Sequence, residues 1–140
     1  MIVLEGKVWK SSTSKYWLIY VPLLDLRTEG TSKKDAIDML EDAIKMLVHK
    51  KGFKAHMDFI NEGKFIIGAN DQKAWVALFL QRARAKQGLT IEEVAHRMGA
   101  TSKTAYARYE QGETMPSIEK FSEILNAIFP GEAPLLKLAA

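Results

Sequence analysis

The chain has 140 residues, enough for one ordinary domain or two very small ones and too few for most multidomain enzymes. Hydrophobic residues make up 47% and charged residues 26%, the balance of a folding protein rather than a disordered one. Twenty Lys and Arg against seventeen Asp and Glu give +3, too mild by itself to name a nucleic-acid partner, and the lack of cysteine excludes disulfides, zinc fingers, thiol nucleophiles and iron–sulfur ligation.

In chain order, residues 2–9 (IVLEGKVW) partly alternate. Val3, Glu5, Lys7 and Trp9 share one side and Ile2, Leu4, Gly6 and Val8 the other, which predicts a strand. Thr13-Ser14-Lys15 signals a turn, and the nearly continuous apolar run YWLIYV (16–21) predicts a central strand that Pro22 stops. Thr31 or Ser32 caps a helix in which Ile37, Leu40, Ile44 and Leu47 recur at spacings of three and four. Lys50 and Lys51 suit its C-terminal dipole, and Gly52 is placed as its left-handed stop. FKAHMDFI (53–60) and KFIIGAN (64–70), joined at Asn61-Glu62-Gly63, read as two further strands. The first half is thus a small antiparallel sheet with one covering helix. Its second face needs cover of its own, and the parity of Tyr16, Trp17, Tyr20 and Trp9 relative to that helix stays open.

The period then changes to 3.6. Trp75, Leu78, Phe79 and Ala83 make a helix that Gly88 ends, and Thr90 with Glu93 forms a capping box for the next, carrying Ile91, Val94, Ala95 and Met98. After Gly99, Ser102 or Thr101 caps a third helix with Tyr106 and Tyr109. After Gly112, Pro116-Ser117 opens a fourth with Ile118, Phe121, Ile124, Leu125 and Ile128 inward. The boundary between halves falls near 69–72. The expected division is 1–70, an all-α domain at 73–130 and a tail at 131–140.

Charge is unevenly spread. Residues 73–112 hold seven basic side chains (Lys73, Arg82, Arg84, Lys86, Arg97, Lys103, Arg108) against Glu92, Glu93 and Glu110, a local +4. Within this block residues 90–112 satisfy the demands of a helix-turn-helix. Ala95 is small where the second helix must cross, Gly99 allows positive φ in the turn, and Val94, Met98, Tyr106 and Tyr109 pack inward. Lys103, Thr104, Ala107 and Arg108 are left on a polar face able to reach base edges, and the helix start after Thr90 offers backbone N–H groups to a phosphate.

GLTIEEVAHRMG…AYARYEQG…PSIEKFSEIL (88–125) resembles the DNA-binding domain of Cro/C1-type repressors, over roughly residues 73–128. The resemblance implies that Arg84 and Glu110 form a structural ion pair tying the first helix to the end of the recognition helix. It implies DNA contacts from Thr90, Ser102, Lys103, Thr104, Arg108 and Lys86. The stretch from Gly99 to Gly112 holds one residue more than the usual spacing. Placing it at Thr101–Ser102 brings Tyr106 and Tyr109 onto core positions.

WLIYVPLLDLRTEGTSKKDAIDMLEDAI (17–44) resembles the N-terminal domain of HicB-type antitoxins through Pro22, Asp25, Thr28, Gly30, Thr31, Ala36 and Ala43. That resemblance implies a partial RNase H-like fold that occludes a small HicA-like ribonuclease toxin, with Trp9, Trp17, Tyr20 and Asp25 as toxin-binding candidates.

Enzymatic readings find less support. Asp35, Asp38 and Asp42 lie three and four apart on one helix beside Lys33, Lys34 and Lys45, which reads as a salt-bridged surface rather than a two-metal centre. His49, His56 and His96 share no ligand spacing, Ser11–Ser14 lacks a nucleophile-elbow context, and no Gly-rich phosphate loop occurs. No apolar run approaches the roughly 18 residues of a membrane span. Glu5 and Lys7 fall where a signal peptide needs its apolar stretch, so a cytoplasmic location is expected. The sequence therefore predicts an α+β, cofactor-free, non-enzymatic antitoxin-like repressor, dimeric or larger, that binds an operator duplex and a ribonuclease toxin. Two alternatives stay open: a repressor whose first half senses a small ligand, and an inhibitor whose helical half only dimerises it.

Overall fold

The computed structural model describes residues 1–131; the expected tail lies outside the described residues from Glu132 onward. The elements are β1 (Leu4–Lys10), β2 (Trp17–Val21), a 3-10 turn (Pro22–Leu24), β3 (Leu26–Gly30), α1 (Lys33–Val48), β4 (Ala55–Phe59) and β5 (Lys64–Ala69). Four helices follow: α2 (Gln72–Lys86), α3 (Ile91–Arg97), α4 (Thr104–Glu110) and α5 (Ile118–Ile128). The fold is α+β. The strands form one antiparallel sheet in the order β3-β2-β1-β5-β4. Leu4, Val8, Ile19, Val21, Phe65, Ile67 and Ala69 are buried on its inner side with Ala36, Leu40 and Ile44 of α1.

The register settles the parity left open by the sequence. Trp9 pairs with Leu18, and Lys7 with Tyr20, on the side away from the helices. Trp17 pairs with Gly30 on the side that carries Ile19 and Val21. The four toxin-binding candidates are therefore not one cluster. Trp9 and Tyr20 lie on the bare face, Trp17 on the covered face, and Asp25 beside the 3-10 turn. A strand has a period of two, so residues an odd number apart on one strand cannot share a face.

The corner from β3 to α1 explains why the chain carries Thr-x-Gly-Thr there. Thr28 Oγ1 donates to the Ala36 carbonyl at 3.2 Å, the Thr31 amide donates to Asp35 Oδ2 at 2.8 Å, and Ser32 caps α1 by accepting from the Asp35 amide. Gly30 is buried, and a Cβ there would lie 2.7 Å from the Asp35 carbonyl carbon and still closer to the Ala36 amide nitrogen. Backbone cannot yield as a side-chain tip can. Gly30→Ala is therefore expected to destabilise by about 1–3 kcal/mol or more, read as a lowered midpoint in urea.

Two expectations about helix ends are corrected. α1 stops at Val48, and His49 adopts the left-handed conformation at φ 49°, three residues before Gly52. Histidine tolerates that region better than most side chains. Lys50 consequently lies past the helix and pairs with Asp71 instead of serving the α1 dipole. Ile118 is 81% exposed rather than inward. A helical side chain leans toward the N-terminus, so the first residue of α5 projects past the end of its own apolar stripe.

Asp71 also caps α2 by accepting from the Ala74 amide at 3.0 Å. The Lys50 ammonium, and then that amide, hold its carboxyl below the ordinary value of 3.8. A lowered folded-state pKa stabilises fully above the unfolded value and is lost as pH falls through the lowered one. Asp71→Ala is expected to cost about 1 kcal/mol at neutral pH. Thermal melts at a series of pH values should show the gap to wild type narrowing once the pH falls below about 3.8.

α2 is buried on most of its circumference, with Ala74, Trp75, Val76, Ala77, Leu78, Phe79, Leu80 and Ala83 all inside. A helix apolar all round has packing on every side. It touches α1, β5 and the 3-10 turn on one flank and α4 on the other. The buried core runs without interruption from the sheet through α2 to α5. Arg82 fastens the halves. Its Nε donates to the Leu24 carbonyl at 2.7 Å and its Nη2 to the Asp25 carbonyl at 2.8 Å, while Lys86 Nζ lies 3.4 Å from the Pro22 carbonyl.

Candidate DNA-binding surface

α3 begins with a complete capping box. The Glu93 amide donates to Thr90 Oγ1 at 3.1 Å, and the Thr90 amide donates to Glu93 Oε1 at 3.3 Å. The cap uses the Thr90 and Glu93 amides, and two carboxylates, Glu92 and Glu93, flank the helix start at which a phosphate contact is expected. Gly99, at φ 78°, turns the chain after α3, and Ala95 is buried at 3% exposure where a small residue lets the neighbouring helix approach.

Ser102 serves the start of α4 with its side chain, as expected, one place before the residue at the cap position. Lys103 occupies the cap position without a side-chain bond; Ser102 Oγ accepts instead from the Thr104 amide at 3.2 Å, a local turn two residues long. α4 then has a clear division. Tyr106 and Glu110 are buried, Tyr109 is half-buried against the core, and Thr104, Ala105 and Arg108 are exposed with Lys103 and Ser102 before them. Ala107 is half-buried and does not belong to the exposed set. Lys103 Nζ lies 2.9 Å from Glu92 Oε1, whose carboxyl it holds below the usual range through that hydrogen bond. Arg108 has only a 4.0 Å approach to Glu113.

Arg84 fixes α4 against α2. Its Nε donates to Glu110 Oε2 at 2.7 Å and its Nη2 to Oε1 at 2.9 Å, a two-pronged contact, while Nη1 donates to the Leu89 carbonyl at 2.9 Å. Glu110 is only 4% exposed, and Gln81 Nε2 donates to its backbone carbonyl. The Tyr106 hydroxyl is buried beside this pair, and burial first and the Glu110 carboxylate second push its pKa up. At the other end Arg97 Nη1 reaches the Ala127 carbonyl at 2.9 Å and ties α3 to α5.

Of the basic block read from the sequence, Lys103 and Arg108 share the exposed side of α4, whereas Lys86 leans to the 3-10 turn and Arg82, Arg84 and Arg97 bond to the protein itself. Charge counting has no means of separating these roles. Arg82 was legible only as one more cation, since its acceptors are carbonyls, which leave no trace in side-chain identity.

Among the described residues no group of three His, Asp or Glu side chains is placed to hold a metal, and no helix is long and apolar enough to cross a membrane. No curated protein and no solved structure matches the chain. A family model described as helix-turn-helix does match, over residues 80–129, from the middle of α2 through α5. With α3, the Gly99 turn and α4 in place inside that span, the C-terminal part of the chain is a helix-turn-helix domain of the DNA-binding, regulatory kind.

Proposed function

We propose that this protein is a transcriptional repressor that reads an operator through α4, and that its sheet-bearing half takes a ribonuclease toxin in the manner of an antitoxin. The observation that carries the first part is the division of α4. One side is locked into the core by Tyr106 and the Arg84–Glu110 pair, and the other offers Ser102, Lys103, Thr104 and Arg108 to a major groove. A single module makes few phosphate contacts, so the reading includes a dimer on a two-fold site. The toxin rests on the HicB-like pattern at residues 17–44.

The test of the repressor is a titration of the full chain against its own promoter region and a scrambled duplex at two salt concentrations. Preference for the promoter is expected; equal affinity for both, with the protein folded, defeats the reading. The test of the toxin is co-expression with a small ribonuclease encoded beside it. The full chain should restore growth, and arrest that persists with specific operator binding intact leaves a repressor that is not an antitoxin. The full chain is used because the core continues from sheet to α2, so residues 1–70 alone would expose part of it.

One observation favours a second reading, a ligand-responsive repressor. A cleft of about 160 Å³ lies between the end of α1 and the end of α4, lined by Leu47, Val48, Ala77, Leu78, Gln81 and Gln111. A small amphipathic molecule seated there would press on the last turn of α4.

A further inference from the structure

The outer face of the sheet carries no helix, and its side chains follow a pattern that the strand register exposes. Two adjacent rows cross β3, β2 and β1. One row reads Arg27, Tyr20, Lys7, and the next reads Glu29, Leu18, Trp9. On each strand the two residues are two apart and differ in kind: cation and anion on β3, ring and aliphatic chain on β2, cation and ring on β1. Rotation by a half-turn about an axis perpendicular to the strands, lying between the rows, brings each row onto the other. Arg27 then meets Glu29 of a second copy, Tyr20 meets Leu18, and Lys7 meets the ring of Trp9, each contact occurring twice.

The face as a whole carries three cations (Arg27, Lys7, Lys64) and three anions (Glu5, Glu29, Asp58). Among the described residues none of the six is in an ion pair. A polyanion or a uniformly basic partner meets repulsion from half of them. A second copy related by the half-turn sets Arg27 against Glu29 and Lys7 against the ring of Trp9, with Lys64, Glu5 and Asp58 outside the two rows. Trp9 is 37% exposed, and the guanidinium of Arg27, on the edge strand β3, lies 4.8 Å from the centre of the Tyr20 ring, so the two rows carry aromatic and arginine side chains, types enriched at interfaces.

We propose that two copies of the chain pack through this face, sheet on sheet, with the two-fold axis between the Arg27 and Glu29 rows, so that Trp9 and Tyr20 serve the second copy and a toxin is left the other surfaces of the sheet-bearing half. The proposal deepens the dimeric reading of operator binding and rests on it for its purpose, but it is tested without DNA. The full chain should sediment as a dimer at micromolar concentration. Arg27→Glu alone and Glu29→Arg alone each set like charges face to face and should weaken association by about tenfold or more. Both side chains are exposed, so circular dichroism should report unchanged folding. The double variant Arg27→Glu/Glu29→Arg should recover the dimer, and so should an equal mixture of the two single variants, which restores opposite charges only across a half-turn of this kind. A monomeric wild-type chain, single variants that stay dimeric, or a mixture that stays monomeric overturns the proposal. Specific operator binding in the same preparations is read separately, so this face can fail while the repressor reading stands.

Discussion

Arg84→Ala is expected to destabilise the protein by about 3–5 kcal/mol, because it leaves the Glu110 carboxylate buried without its partner. The size follows from the geometry. Glu110 is 4% exposed, both its oxygens accept from one guanidinium, and the Arg84 side chain is itself only 21% exposed, so solvent cannot replace what is lost. In a chain of this length the drop in melting temperature should exceed about 10 °C. Arg84→Met with Glu110→Leu, which removes both charges, should cost less than either single change, since an apolar pair of similar volume leaves no orphan. A thermal melt of the three variants checks the order. Full stability of Arg84→Ala would mean that α4 is held by Tyr106 and Tyr109 alone.

Arg108→Ala is expected to act on DNA and not on folding. Its side chain is 60% exposed and its nearest acid, Glu113, is 4.0 Å away, so its removal disturbs no buried contact. A guanidinium on this side of α4 suits the two acceptors of a guanine edge. Its loss should cost about 1–3 kcal/mol per half-site and flatten preference at one base position. Lys103→Ala is expected to differ. Lys103 shares its charge with Glu92, so in the free protein part of its field is already neutralised, and its removal should weaken specific and scrambled duplexes more evenly. Binding isotherms on both duplexes separate the two. Loss of melting temperature in Arg108→Ala would place that side chain in the fold instead.

The local elements were legible because each is fixed by nearby residues. Thr90 and Glu93 make a cap whatever surrounds them; Gly99 and Gly112 take the positive φ that ends a helix; and Tyr106 and Tyr109 stand three apart, one turn of helix, and both face inward. Where the local rule had two solutions, spacing and glycine preference alone did not choose between them. His49 rather than Gly52 ended α1, and Ile118 turned outward although its spacing matched the buried stripe.

The sequence by itself determined four of the five strands, the helices, the change of period after residue 70, and the helix-turn-helix pattern with its inward tyrosines, because periodicity, caps and turn glycines act within a few residues of one another, whereas β3 (Leu26–Gly30) took shape only by pairing with β2. The Arg84–Glu110 pair was already implied by the resemblance, but only the tertiary structure decided how Arg82 and Arg97 are used, since their acceptors are carbonyls 58 and 30 residues away, and that Lys103 and Arg108 stay exposed with only surface acids beside them. It also decided the parity of Trp9, Trp17 and Tyr20, since an alternating strand fixes which residues share a face but not which face meets the helix.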